Sequence, residues 1–478
     1  LNTNLTRRNF LTSTGLAISS LALRNGLCAS ENQPKRPNIL FFLTDDQRFN
    51  AIHALDNAEV QTPNMDKLVG KGVTFTHAHI MGSESGAVCM PSRAMLMTGR
   101  SLFHLEKMGQ SIPKEHVTLP EQLRKAGYKT FGTGKWHNGR EAYARSFTHG
   151  GKIFFGGMSD HLQVPVYDFD PDGVYAKEKQ YLGDKFSSEL FSDEAIQFLK
   201  EYNDDAPFLM YVSYTAPHDP RMAPQEYAAL YPPDKITLPK NFLPEHPFDN
   251  GELQIRDENL APFPRTPDII REHIAAYYAM ITHLDAQIGR VLQALENSGK
   301  AENTIIILAG DNGLAVGQHG LLGKQNLYEH SVRVPLIIAG PNLPEYLKSD
   351  ALCYLSDIFP TICDLCGITI PDGVEGASLL PVLRGKKEPV RNSIFAAYKD
   401  YQRMVRRGDW KLIKYNVNGE QHTQLFHLAK DPWEMNNLAK NPNQARRVQR
   451  LTNLLKQWMN EVDDPCNLDH PNWGLTTK

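Results

Sequence analysis

Hydrophobic residues in this chain gather into short unbroken runs, and most of the runs end in polar residues of a narrow kind. Residues 38–44, Asn-Ile-Leu-Phe-Phe-Leu-Thr, run straight into Asp45-Asp46. Lys129-Thr130-Phe131 leads to Gly132-Thr133-Gly134-Lys135-Trp136-His137, and residues 207–213 lead to Thr215-Ala216-Pro217-His218. Residues 304–309 lead to Asp311-Asn312-Gly313, and residues 335–340 read as one more core strand. Continuous apolar runs of this kind suit strands buried on both faces of a parallel sheet. Helical patterns alternate with them, at residues 119–126, at 191–202 and from Thr266-Pro267 onward, where an N-cap precedes a proline at the first helical position. In the last of these Ile270, Ile274, Tyr277, Ile281, Leu284, Ile288, Val291 and Leu295 recur at spacings of three and four, which turns one face inward. The alternation predicts an α/β domain with a mainly parallel sheet. In open sheets of this class ligands bind at the carboxyl ends of the strands. Asp45, Asp46, Lys135, His137, His218, Asp311 and Asn312 are therefore predicted to meet at one sheet edge.

Past about residue 390 the pattern changes. Residues 401–415 alternate around Met404-Val405-Arg406 and Trp410-Lys411-Leu412-Ile413. Asn416-Val417-Asn418-Gly419 is turn chemistry, and Gln424 to Leu428 resumes a strand. A small antiparallel sheet and a helix over about 444–462 are predicted, giving a catalytic α/β domain over 31–390 and a C-terminal α+β subdomain over 391–478. Residues 221–267, rich in Pro, Asn, Asp and Glu, read as a long insertion beside the strand ends. Arg256, Glu258 and Arg265 are its candidate substrate contacts.

Composition narrows the classes. A net charge of -3 gives no electrostatic reason to expect nucleic acid or a membrane surface as partner. Six cysteines in 478 residues are too few for a disulfide framework. Cys363-Asp364-Leu365-Cys366 has no second pair nearby to complete a zinc site, and reads as two packed thiols. Thr6-Arg7-Arg8-Asn9-Phe10-Leu11 resembles the twin-arginine export motif. The weakly apolar stretch after it is too short and polar to span a bilayer stably. Residues 1–30 are read as an export signal, with cleavage near Leu27-Cys28-Ala29 and a periplasmic or secreted destination. Lipidation of Cys28 is an open alternative that Gly26-Leu27 suits poorly.

The chemistry centres on residues 89–100, Cys-Met-Pro-Ser-Arg-Ala-Met-Leu-Met-Thr-Gly-Arg. Pro91 fits the first turn of a helix and Gly99 stops it, so Cys89 sits at a helix mouth, where exposed N–H groups and the dipole favour an anion. Arg93 adds a full charge one turn in. A lone cysteine before a helix is by itself more often a buried small hydrophobe. The string, however, fills every fixed position of the Cys-x-Pro-Ser-Arg…Thr-Gly-Arg pattern and resembles the type I sulfatases of the alkaline phosphatase-like superfamily. The resemblance extends from Asn38 to about Ala439, where Asp431-Pro432-Trp433-Glu434-Met435-Asn436-Asn437-Leu438-Ala439 is similar to the family's C-terminal subdomain. It implies a large mainly parallel or mixed sheet sandwiched by helices, with a small C-terminal antiparallel sheet packed with a helix.

Asp45, Asp46, Asp311 and Asn312 offer only oxygen, which suits a hard cation, Ca²⁺ or Mg²⁺. The resemblance assigns these four, with modified residue 89, to Ca²⁺. It implies oxidation of Cys89 to formylglycine (3-oxoalanine) by a sulfatase-maturation enzyme. Gly134-Lys135-Trp136-His137 is close to the family's Gly-Lys-Trp-His, with Asn138 where leucine is commoner. His218 matches the third-strand histidine, and Lys324 in Gly323-Lys324-Gln325-Asn326 matches a second sulfate-binding lysine. In the implied mechanism a hydroxyl of the hydrated aldehyde, deprotonated by Asp311, attacks sulfur. Lys135, Lys324, Arg93 and the cation neutralise the sulfate oxygens, while His218 protonates the departing alcohol. His137 then acts as the base that expels sulfate. The substrate class expected by analogy is a sulfated carbohydrate. The competing readings are a phosphate or phosphonate monoester hydrolase of the same superfamily and a non-catalytic sulfoglycan-binding protein.

Overall fold

The computed structural model describes residues 35–387 and 389–474. The export signal expected at 1–30, Cys28 included, lies outside the described residues. Nine strands form the main sheet: β1 Asn38–Thr44, β2 Gly72–His79, β3 Lys129–Lys135, β4 His149–Phe154, β5 Phe208–Ser213, β6 Thr304–Gly310, β7 Arg333–Val334, β8 Leu336–Ala339 and β9 Leu347–Tyr354. Their order is β7-β2-β8-β6-β1-β5-β3-β4, with β9 pairing β2. The block β6-β1-β5-β3-β4 is parallel throughout. β8 turns antiparallel to both β6 and β2, so the sheet is mixed.

All seven residues of β1 are buried, which is why it reads as an unbroken apolar run. Ile39, Phe41 and Leu43 face one core, and Leu40 and Phe42 face the other. The second core is roofed by α2, Ser187–Glu201, and by the far half of α3, Pro267–Asn297, through Met280, Leu284, Ile288, Val291 and Leu295. Each such side chain contributes about 1.5–3 kcal/mol of burial, so this one stripe outweighs any weakness of helix propensity along α3. Thr266 caps α3 by accepting the Ile269 N–H. The near half of α3, with Ile270, Ile274, Tyr277 and Ile281, packs instead against Tyr231, Ile236 and Ala261 of the insertion and Leu314, Val316 and Leu322. That packing holds the insertion beside the strand ends. The first core lies under α1, Cys89–Thr98, which Gly99 ends in a left-handed cap.

Four antiparallel strands, β10 Ile394–Tyr398, β11 Gln402–Arg407, β12 Trp410–Val417 and β13 Glu420–His427, make the small sheet. Asn418 and Gly419, both at positive φ, form the two-residue turn between β12 and β13. The helix α4, Ala445–Glu461, buries Leu451, Leu455 and Met459 and packs on β11 and β12. The short strand Gly82–Ser83, just ahead of α1, pairs in parallel with β10, so the small sheet is joined directly to the chain leading into Cys89. Cys363 and Cys366 are buried free thiols, as the lack of a second pair predicts.

Gly132-Thr133-Gly134, which follows the short apolar run at 129–131, continues it as part of β3. The glycines are there because neighbours come too close for a side chain: a Cβ on Gly134 would fall 1.8 Å from the Ser213 carbonyl oxygen. The ladder to β4 slips by one residue between Thr133 and Gly134: Lys152 of β4, at positive φ, is the extra residue, a bulge in β4 opposite the stretch just ahead of Lys135. The core strand read at 335–340 is β8, Leu336–Ala339, which runs antiparallel to its neighbours.

Candidate active site

Register brings the polar residues together. Thr44 pairs with Gly310, so Asp45 and Asp311 leave adjacent strands at the same level, and the Asp311 N–H donates to the Thr44 carbonyl at 2.9 Å. Leu43 and Gly134 both pair with Ser213, which puts Lys135 and the segment leading to His218 at that edge as well. Tyr277 of α3 donates to the Asp46 carbonyl at 2.8 Å and fixes the Asp45-Asp46 turn, where Asp46 has positive φ.

Three carboxylates and three cations interlock here, all buried. Asp45 Oδ2 is 2.5 Å from Lys135 Nζ, and Asp46 Oδ1 accepts from Lys324 Nζ and from Asn312 Nδ2, each at 2.7 Å. Asp311 Oδ2 accepts from Arg93 Nε at 2.8 Å. Burial works against charge on Asp46, but His218 and Lys324 outweigh it and hold its carboxyl well below the ordinary range. Burial and the charge of Asp45 push Asp311 the other way, up to about 6. Lys324, opposed by burial, is held firmly charged by Asp46.

Cys89 opens α1, 2% exposed, with Sγ 3.3 Å from Lys135 Nζ and 3.5 Å from His137 Nδ1. Burial pushes its thiol up from the usual value, so an unmodified Cys89 is a poor nucleophile despite two nearby lysines. His137 sits at positive φ, its ring against Gly157, where a Cβ would lie 2.9 Å from Nε2. Burial first and Lys135 second push His137 well below the usual histidine value. His218 Nδ1 is 2.9 Å from the Asp219 carbonyl, leaving Nε2 toward Asp46 Oδ2 at 3.6 Å.

The donor set fits a hard cation. Ligating atoms of Asp45, Cys89 and Asp311, and of Asp45, Asp46 and His218, lie within 4.8 Å of one another. Asp45 Oδ1 and Asn312 Oδ1 are buried without a hydrogen-bond partner, an expensive arrangement that oxygen coordination to a cation would relieve.

The candidates from the sequence divide. Asp45, Asp46, Cys89, Lys135, His137, His218, Asp311, Asn312 and Lys324 converge. Arg93 is fully buried, with Nη1 on the Lys135 carbonyl at 2.9 Å and on Ser213 Oγ at 2.6 Å. What this geometry gives it is the holding of Asp311 and the Lys135 backbone. Arg256 is half-exposed and grips Asp219, the neighbour of His218, and Asp257. Glu258 and Arg265, expected to face substrate, instead point inward at 3% and 1% exposure and bond to each other at 2.6 Å. Their charges compensate in the interior, which is the condition for burying either one.

The sequence assigns no role to the other residues at the site, although Ser92 and Glu434 lie within its motifs. Ser92 Oγ donates to the Asp311 carbonyl at 2.5 Å. Asn138 donates to the carbonyls of Met90 at 2.8 Å and Gly109 at 2.7 Å, tying the first turn of α1 to the His137 corner. Its departure from leucine is the one visible clue. Glu434, in the 431–439 phrase, accepts the Glu329 N–H at 2.7 Å, while Arg406 and Lys411 hold the Glu329 carboxylate at 2.9 and 3.0 Å. The small sheet thereby anchors the segment beyond Lys324.

Residues 37–368 match the family model described as sulfatase, and residues 317–461 match one described as N-sulphoglucosamine sulphohydrolase, C-terminal. The chain is 27% identical to the N-acetylglucosamine-6-O-sulfatase of Bacteroides thetaiotaomicron, over 94% of this chain and 91% of that one. It is 30% identical to a sulfatase of Formosa agariphila, over 89% of this chain and 87% of the other. A solved structure in complex with its substrate D-glucosamine-2-N,6-O-disulfate superposes with a TM-score of 0.77 at 25% identity, over 92% of this chain and 100% of that one.

Proposed function

The chain belongs to the sulfatase family, and we propose that it removes sulfate from a sulfated sugar, using Cys89 after oxidation to formylglycine and a calcium ion held by Asp45, Asp46, Asp311 and Asn312. The observation that carries this reading is the meeting of an all-oxygen donor set, two of its oxygens buried and unpartnered, with a cysteine at a helix mouth. When present, the hydrated aldehyde supplies two hydroxyls on one carbon and the cation supplies charge against the sulfate oxygens.

The chain's own groups do the rest. Lys135 and Lys324 neutralise sulfate oxygens from two sides. Arg93 holds Asp311 and the Lys135 backbone in place, and Asp311 accepts a proton from residue 89. His218 is kept in one orientation by the Asp219 carbonyl and delivers a proton from Nε2 to the departing sugar oxygen. The negative sulfate beside it favours the charged imidazolium that burial disfavours. His137, facing residue 89 through Nδ1, takes a proton as sulfate is released.

Sulfated carbohydrate is the substrate class that the named relatives support. Arg256, half-exposed at the mouth, is the candidate sugar contact from the insertion. Export by the 1–30 segment to the periplasm or beyond suits a role in polysaccharide degradation, and among the described residues no helix is long and apolar enough to cross a membrane. Because Cys89 is buried, the maturation enzyme must reach it before the fold closes. A division into a catalytic domain and a C-terminal subdomain near 390 is part of the proposal, supported by the start of the small sheet at Ile394, while residues 36–478 pack as one compact unit. The test is a panel of sulfated mono- and oligosaccharides alongside nitrophenyl sulfate and nitrophenyl phosphate. Sulfate release from sugars with far slower phosphate hydrolysis is expected, and preferential phosphate or phosphonate hydrolysis would overturn the reading.

A further inference from the structure

The buried pair of Glu258 and Arg265 lies under the segment that carries Lys324. Glu258 Oε2 accepts the Leu322 N–H at 2.9 Å and Arg265 Nη2 at 2.6 Å, and Oε1 accepts the Gly323 N–H at 2.9 Å. Those two N–H groups belong to the two residues immediately before Lys324. The residue after it is gripped from the same turn: Gln325 Nε2 donates to Asp257 Oδ2 at 2.8 Å, while Gln325 Oε1 accepts the N–H of Lys324 itself at 2.9 Å. Gln325 Nε2 also donates to the Gly86 carbonyl at 3.0 Å, three residues ahead of Cys89. Arg265 reaches the Gly320 carbonyl as well. One turn of the insertion thus fixes the backbone from 320 to 325.

A lysine ammonium is a point charge on a long rotatable stem, so its placement depends on how firmly its backbone is held. A carboxylate is the side chain suited to the task here: its two oxygens serve two successive N–H donors and still accept from a guanidinium. We propose that Glu258, clamped by Arg265, is a positioning residue for Lys324, fixing the backbone from which the ammonium reaches the site. This rests on the assignment of Lys324 to the sulfate in the proposed function.

The test is a double-mutant cycle on enzyme active toward nitrophenyl sulfate, with inorganic sulfate as competitive inhibitor. Wild type, Glu258→Gln, Lys324→Ala and the double variant are compared, and thermal unfolding is followed for each. Glu258→Gln is expected to weaken sulfate inhibition and lower kcat/KM about tenfold, the scale of one or two lost charge-assisted hydrogen bonds. Its leaving-group dependence should stay that of wild type, since His218 is held by other residues. In the Lys324→Ala background the same substitution should cost about twofold or less. Equal cost in both backgrounds, or unchanged sulfate inhibition, overturns the positioning role. Unchanged kcat/KM in Lys324→Ala alone overturns the assignment of Lys324 and the proposal with it, an outcome distinct from the first. Arg265→Lys, which keeps the charge beside Glu258 but shortens its reach, is run in the same cycle if Glu258→Gln does not fold, with the same two outcomes.

Discussion

Gly134→Ala should damage stability and turnover together, through one close approach. Gly134 has φ +85°, and its added Cβ would fall 1.8 Å from the Ser213 carbonyl oxygen, on a paired backbone with no flexible end to yield. Real Cβ atoms keep beyond 3.0 Å of such atoms, so β3 and β5 must part by roughly 1.2 Å. The backbone strain of an L-residue at this φ costs about 1–2 kcal/mol, and forced overpacking adds about 1–3 kcal/mol. The parting strands are the two that Arg93 ties together through the Lys135 carbonyl and Ser213 Oγ. A displacement of this size at Lys135 should cost about 100-fold in kcat/KM. Gly127→Ala is the control: φ is +94° but no atom lies within 4 Å, so only the strain applies and turnover should be normal. Guanidinium unfolding and nitrophenyl sulfate kinetics on both variants decide it. Equal stability loss in the two, or wild-type kcat/KM in Gly134→Ala, would refute the reasoning.

Three further outcomes are expected. Asp45→Ala removes the partner of the buried Lys135 ammonium and both oxygens of a ligand at once. It should destabilise the calcium-free protein by about 3–5 kcal/mol and abolish the rise in Tm that added Ca²⁺ gives wild type, and a Ca²⁺ response equal to wild type would remove Asp45 from the site. His218→Ala should be far more damaging on a sugar sulfate than on nitrophenyl sulfate, whose leaving group scarcely needs a proton, while His137→Ala should trap sulfated residue 89 as added peptide mass. Identical leaving-group dependence in both variants with no trapped mass would refute that division. His104, opposed by burial but bonded to Glu375 and Asp463 at 2.9 Å, has its value raised above 6.5 in the fold. Its stabilisation is present below the unfolded value and is lost as pH rises through the raised folded one. Tm of His104→Gln should therefore converge on wild type above that range and fall short of it below, and a pH-independent gap would contradict the linkage.

The parts legible in the sequence are those where burial is two-sided and local. β1, β5 and β6 announce themselves because every residue faces a core, and the polar residues that break each run are the site. β2 is hidden by its threonines and histidines, of which Thr74 and His79 are buried and Thr76 and His77 half-buried. β9 is hidden as well, a strand with Lys348, Ser349 and Asp350 in its first half. The Gly-Thr-Gly of β3 gives a weak strand signal because glycine is a poor strand former, and tertiary neighbours explain it: Tyr143 and Phe147 crowd Gly132, and β5 crowds Gly134. In the site, Asp45, Asp46, Asp311 and Asn312 follow directly from strand ends. The inward direction of Glu258 and Arg265 does not, because it depends on pairing with backbone more than 50 residues away, and a charged loop reads the same whether it faces substrate or its own chain.

The identity of residue 89 tests the central claim most directly. Peptide mass spectrometry of active protein from its native host should find the peptide spanning Cys89 with an aldehyde in place of the thiol, and the aldehyde fraction should track specific activity on a sulfated sugar. Full sulfatase activity from protein whose residue 89 is entirely an unmodified thiol would contradict the account.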